Sequence, residues 1–386
     1  MPTVSELESP IDSAPAVLSA TPADVGSAEA AQPATDVVSG EFVHLAREVA
    51  RFASEQPGRG WLAVLPTLAI TVALQISLLL SPPWWLAIAL ACTLSVFLVR
   101  VFIFVHDIEH RALFRHSRLG RWLLLPFSIY YIYPPSVWRD RHQDHHRRNC
   151  QLDNDDIDGQ VPLYSTTEWE QRGGLVRFAY RAVRSWTGMI LGWIPFFILP
   201  VAMAAGKRPW ALLWPIAQVG AVIACGMLLG WATAWWALIL PIWIATILGT
   251  ILFFVQHNAP GLDFRMPGDW KYGHAALRSS TYLDLPRWQH WLLGNIGYHH
   301  IHHINDRIPF YRLPEVMAAV PALQQPVQVK LSLSAINRCL RLQLWDPDLG
   351  RLISIREYNR NQAAIAAPAT QPNSRAPDLS QAEPLS

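Results

Sequence analysis

Histidine is the residue type whose spacing carries chemistry in this chain. Of 14 histidines, nine fall into three tight clusters, and His257 stands immediately after an apolar run. The first cluster is His106-Asp-Ile-Glu-His110, which on a helix places two imidazoles at i and i+4 on one face. The second is His142-Gln-Asp-His145-His146, where i, i+3 and i+4 again share a face. The third, His299-His300-Ile-His302-His303, repeats the H-x-x-H-H spacing from His299 and leaves His300 out of register. The candidate metal ligands are therefore His106, His110, His142, His145, His146, His257, His299, His302 and His303. One histidine in a polar loop is ordinarily a surface residue, and one H-x-x-x-H pair arises by chance. Three clusters close to the ends of apolar runs have the spacing of a metal site. Neutral imidazole suits iron, copper, zinc and nickel. Nine imidazoles exceed what one ion can use, so two ions are implied.

The first cluster also reads as H-x-x-E-H, a zinc-peptidase pattern in which Glu109 would be the general base. Such a site needs only about three protein ligands, and the other clusters would then have no purpose. Two irons at a membrane surface instead suit activation of O2 and attack on an unactivated C–H bond, which apolar membrane substrates supply. A membrane metal carrier is a third reading. It calls for ionisable residues inside the spans, and these spans hold almost none.

The elements that must position the histidines are apolar. Charged residues make up 16% of the 386 and there are 18 Trp, where about 25% charged is usual for a soluble domain. Trp61–Leu80 has no charge, and after Ser81-Pro82-Pro83 the run Trp84–Val105 carries only Arg100, expected to snorkel to the interface. Each is long enough to cross about 30 Å of hydrocarbon as a helix. A second apolar region, Gly188–Val255, is broken by Lys207-Arg208-Pro209 and by a turn at Gly230–Ala234. Lys and Arg avoid the two tight links, whereas eight arginines from Arg111 to Arg148 crowd the stretch after the first hairpin, so both termini, the histidine clusters and Lys207/Arg208 are expected on the cytoplasmic side. Basic residues flank both ends of Met189–Ala205, which is therefore read as re-entrant or interfacial. That leaves crossings at about 61–80, 84–105, 210–229 and 234–256.

The expected fold is an all-α integral membrane protein of about four transmembrane helices in two hairpins. Interfacial or re-entrant helices and a cytoplasmic helical cap carrying the histidines complete it. Residues 1–40 and a tail at 346–386, chiefly from about 364, have the Ala/Ser/Pro composition of disordered chain. The start lacks the basic and apolar parts of a signal peptide. An amphipathic segment over about 41–59 is expected at the membrane surface. The domain between is 41–345. Cys92, Cys150, Cys225 and Cys339 lack pair spacing and are read as free thiols. The net charge of +2 is uninformative, and nucleic acid is not an expected partner.

At these residues the chain resembles the membrane fatty-acid desaturase superfamily, defined by three histidine boxes, over roughly Trp61–Leu323. It is most similar to bacterial acyl-lipid desaturases over Phe253–Tyr311. There Phe-Phe-Val-Gln-His257, Leu293-Gly-Asn-Ile-Gly-Tyr-His-His-Ile-His-His303 and Pro309-Phe-Tyr311 look like that group's pattern. The boxes alone are shared with hydroxylases, ketolases and sterol-type oxidases, and the Gly-Asn-Ile-Gly-Tyr lead-in is more specific. The resemblance implies that the nine histidines bind two Fe ions and that O2 and electrons are used to remove two hydrogens from adjacent methylenes of a fatty-acyl lipid. A hydroxylase or ketolase acting on a lipid or carotenoid is the alternative. Ile108-Glu109 departs from the group, which often has Cys-Gly there. Glu109 is open to three readings: an acceptor orienting an imidazole N–H, a ligand, or a solvated residue. Asp107, Asn295 and His300 are the other candidates for holding the ligands in place. No iron–sulfur, dinucleotide or haem pattern is present, so the electron donor is expected to be external, such as a ferredoxin-type protein. The arginines over 111–121 and 139–148 are suited to docking it. The expected location is a bacterial inner membrane with the catalytic face cytoplasmic.

Overall fold

The computed structural model describes residues 34–131, 134–152 and 163–366. These described residues are mostly helical, with five short strands among them. Four helices are long and apolar enough to cross a membrane: Pro57–Leu79, Trp84–Glu109, Pro209–Leu229 and Trp231–His257. These are the four crossings expected, each extended at one or both ends. The first hairpin turns at Ser81, whose φ is +55°, followed by Pro82 and Pro83. The second turns on Gly230 alone, at φ +95°, where a side chain would be strained. The following Trp231–Ala234 is already helical, so the link is shorter than the turn expected there.

The second and fourth spans form the centre, burying Leu94, Leu98, Val101 and Phe104 with Ile251, Leu252, Phe254 and Val255. The first and third spans lie outside and keep Leu62, Ile76, Ile216 and Leu228 exposed. Such an apolar girdle is stable only against lipid.

Arg100 does not snorkel. It is 1% exposed, donates from Nε to Thr67 Oγ1 at 3.0 Å and from Nη1 to the Trp291 carbonyl, and lies 4.2 Å from the Trp291 ring. A buried guanidinium persists where its donors and its face are both used. It pins the short helix Arg287–Leu292, which precedes the third histidine cluster, to the second span.

Met189–Ala205 forms short helical pieces, of which Ile194–Ala205 is the apolar one and falls short of a span. Its end is fixed by an ion pair between Arg208 and Asp140 of the second-cluster helix, 2.6 Å apart. Val201 and Ala211 are buried against Val137 of that helix. The segment therefore returns to the side it left, as a re-entrant piece does.

The cap holds two small sheets beside its helices. Tyr282–Asp284 pairs in parallel with Gln328–Lys330. Tyr164–Ser165 pairs in parallel with Leu344–Asp346, which pairs antiparallel with Arg351–Ile353. The expected tail thus begins as folded chain: the last strand leads into a helix at Ile355–Ala366, and Ile353, Ile355 and Tyr358 pack on Trp169 and Tyr180. The rest of that tail, 367–386, and residues 1–33 lie outside the described residues. At the other end a helix begins at Ala34, inside the stretch expected to be disordered, and runs to Ala50. Leu45, Val49 and Phe52 pack on Ile301, Ile304, Leu313 and Val316. The apolar face assigned to the membrane surface is used instead to buttress the third histidine cluster.

Candidate metal centre

Each histidine cluster sits where a helix leaves the apolar layer or lies directly beneath it. His106 is in the last turn of the second span and His110 is its C-cap. His257 ends the fourth span. The second cluster rides on the helix Pro135–Arg147, started by Pro135 at its first turn. The third lies on the single helix His299–Ile304, every residue of which is buried.

The nine candidate histidines converge as two groups, His106, His110, His142, His146 and His302, and His145, His257, His299 and His303; within each, the ligand atoms lie within 4.8 Å of one another. The H-x-x-H-H spacing does not deliver three ligands to one place. In the second cluster His142 and His146 serve the first group and His145 the second; in the third cluster His299 and His303 serve the second group and His302 the first. Positions i+3 and i+4 differ by about 100° around a helix, which is what divides them.

The Nε2 atoms face one another. His106 and His142 are 3.0 Å apart, His146 and His302 3.0 Å, His257 and His299 2.8 Å, and His299 and His303 3.1 Å. Ligands each about 2.1 Å from one ion and at right angles would lie about 3 Å apart. Four or five converging ring nitrogens cannot all be donor–acceptor matched by each other, and His110 Nε2 is buried without a partner. Burial first, then the neighbouring imidazoles, hold His142, His145, His299, His302 and His303 well below the ordinary histidine range. They are therefore neutral, as ligation requires. The residues fit a pair of metal ions.

Groups behind the rings aim them. His106 Nδ1 is 3.0 Å from Asp107, whose other oxygen accepts from the Phe310 N–H at 2.7 Å. His110 Nδ1 donates to Asp306 at 2.9 Å, and His257 Nδ1 to the Ser279 carbonyl at 3.3 Å. Fixing Nδ1 turns Nε2 inward. Asp107 thereby links the His106 ring to the Phe310 backbone. Asp306 was not singled out from sequence: its only signal is a carboxylate three residues beyond His303.

The other three candidates are engaged elsewhere. Glu109 pairs with Arg139 at 2.9 Å, and on the helix it lies about 100° around from His110. Asn295 donates to the Phe310 carbonyl at 3.0 Å. It shares with Asp107 the task of holding Phe310 and touches the histidines only through it. His300 turns away, its Nε2 3.2 Å from the Leu323 carbonyl.

Beside the clusters lies a cavity of about 460 Å³ whose walls are mainly apolar. His106, His142 and His299 form part of its lining, so both groups reach it. Leu98, Ile103, Ala245 and Phe253 of the two central spans line it, as do Phe196 and Pro200 of the re-entrant piece. Arg141, Tyr164, Tyr180 and Arg184 also line it.

Fold and site together define a four-span membrane protein with a buried polyhistidine metal centre open to an apolar cavity. Comparison with known proteins agrees. The pattern of the family described as fatty acid desaturase matches residues 83–331. A fatty acid desaturase of Bacillus subtilis (strain 168) is 29% identical over 324 residues, covering 81% of this chain and 90% of the relative. An sn-1 oleoyl-lipid 12-desaturase of Synechocystis is 27% identical over 277 residues, 67% of this chain and 75% of its own. A chloroplastic omega-6 fatty acid desaturase of Brassica napus is 25% identical over 278 residues, 66% and 58%. The chain belongs to the fatty acid desaturase family, and is an oxidoreductase of the desaturase type.

Proposed function

We propose that the protein is a diiron, O2-dependent fatty-acyl desaturase that places a double bond in a lipid-linked acyl chain. The observation that carries this reading is the opening of both imidazole groups onto one apolar cavity. All nine histidines serve as ligands. Two bound irons would supply the oxidising power, drawn from O2 and an external donor of ferredoxin type, to remove two hydrogens from adjacent methylenes. The chain's own residues do the rest. Asp107 and Asp306 hold ligand rings in orientation, and the cavity walls exclude water and fix a methylene pair beside the clusters. An imidazole-rich, oxygen-poor set suits iron in this role. The name of the Synechocystis relative supports a lipid-linked substrate. The arginine distribution supports a cytoplasmic catalytic face in a bacterial inner membrane.

The test is expression in a host that makes only saturated and monounsaturated lipids, with mass-spectrometric location of new double bonds. A new C=C bond without added oxygen is expected. A hydroxylated or keto lipid instead would give the assignment to the hydroxylase alternative, and stoichiometric zinc without iron in the purified protein would overturn it altogether.

A further inference from the structure

Tyr130 lies between two cavities. One face lines the cavity beside the histidine clusters. The same residue lines a second cavity of about 220 Å³, with Thr71, Val72, Gln75, Ile76 and Phe127. Val72 and Ile76 are exposed on the first span, so the second cavity sits at the lipid-facing side.

The residue is held at its hydroxyl and at its backbone by two amide side chains from apolar spans. Its hydroxyl donates to Gln75 Oε1 at 3.1 Å, and its carbonyl accepts from Gln218 Nε2 at 3.2 Å. Gln75 is itself fixed, because its Nε2 donates to the Ala237 carbonyl at 3.0 Å. Four residues on from Ala237 stands Pro241, which has no N–H to offer that carbonyl. The orientation of Gln75 therefore leaves its oxygen turned to the phenol. Polar side chains are costly within a bilayer and are retained where they have a task. Here two of them are spent on one tyrosine.

The adjacent Tyr131 bonds the Leu98 carbonyl at 2.7 Å, which sets this wall at the level of Leu98. Along the second span that is about 12 Å from His106, at 1.5 Å per residue. The polar lining, Arg141, Tyr164, Tyr180 and Arg184, suits the carboxyl end of a substrate, leaving the Tyr130 end for the methyl terminus.

We propose that Tyr130, locked by Gln75 and Gln218, is the end wall of the acyl cavity and determines the acyl-chain length the enzyme accepts. This rests on the acyl-desaturase function proposed above. Removing the ring joins the two cavities and lets a longer chain pass toward the lipid.

The experiment compares wild type with Tyr130→Ala, Tyr130→Leu and Tyr130→Phe, as full-length protein in a host supplied with hexadecanoyl, octadecanoyl and icosanoyl chains. The readout is the ratio of desaturated icosanoyl to desaturated octadecanoyl lipid, which is independent of expression level. Tyr130→Ala is expected to raise it by about tenfold, the scale on which methylenes are discriminated in apolar pockets. Tyr130→Leu should raise it less, which keeps the test alive if the alanine variant fails to fold. Tyr130→Phe, which keeps the ring, should hold the wild-type ratio. An unchanged ratio in the alanine and leucine variants, alongside a desaturating wild type, would overturn the wall. A wild type that forms no C=C bond at any length would overturn the function first, and the wall with it.

Discussion

Asp306 and His110 come from opposite ends of the chain's functional region, yet the carboxylate oxygen lies 2.9 Å from the imidazole Nδ1. The carboxylate accepts, so Nδ1 carries the proton and Nε2 is left free to face the other imidazoles of its group. Burial alone would raise the Asp306 carboxyl. The adjacent His110 outweighs that and holds it below the usual carboxylate range.

Asp306→Ala should therefore lower metal affinity by about 10- to 100-fold, read as iron per chain after dialysis against a graded chelator. Asp306→Asn keeps an acceptor and should lose less. Full iron retention by the alanine variant at every chelator concentration would show that Asp306 does not orient the ligand.

His300 is expected to separate from its neighbours. Bonded to the Leu323 carbonyl and outside both groups, it should cost stability when replaced. His300→Ala should lower unfolding stability by about 1–3 kcal/mol and leave the metal stoichiometry unchanged. His299→Ala, His302→Ala and His303→Ala should each abolish turnover. Loss of all iron on His300→Ala alone would mean the register of this cluster is wrong.

Lys207 and Arg147 should be found on one side of the membrane, because Arg208 is ion-paired to Asp140 on the helix that carries Arg147. Single cysteines at Lys207 and Arg147, in a background lacking the exposed Cys92, should be labelled from the same face of sealed vesicles. The ion pair is exposed and worth under about 1 kcal/mol, so Arg208→Ala should fold and label in the same way. Labelling from opposite faces would make 189–205 a fifth crossing.

Acidification should destabilise the metal-free protein in one direction only. The folded state holds His142, His145, His299, His302 and His303 well below the ordinary value of 6.5, by burial first and then by neighbouring imidazoles. Below pH 6.5 the unfolded chain binds protons that the folded chain excludes, so stability is full above that value and falls as pH drops through it. Tm measured in detergent should be flat above about pH 7 and decline below about 6.5. A Tm that rises on acidification would contradict this.

The amino-acid sequence by itself determined which histidines assemble and where the spans lie. Both rest on periodicities internal to one element: imidazoles at i, i+3 and i+4, and apolar runs the length of a bilayer. Chain-internal spacing also marked Asp107, which is bound to the ring next to it in sequence.

What only the tertiary structure decided involves partners on different elements. His145 and His146 are consecutive, yet they join different groups, because which ring each meets depends on how the second-cluster helix lies between the ends of the two central spans. Arg100, at the end of an apolar run, is legible as a snorkelling residue until Trp291, far along the chain, closes over it. Glu109 is open to reading as an orienting acceptor, a ligand or a solvated residue until Arg139 takes its carboxylate. Asp306 has no spacing relation to His110 at all. A helical period fixes direction only within its own helix, and the rotation and approach of one helix toward another are set by long-range packing. That is why the histidines that converge were legible in sequence, and their division between two groups and the carboxylate bonded to one of them were not.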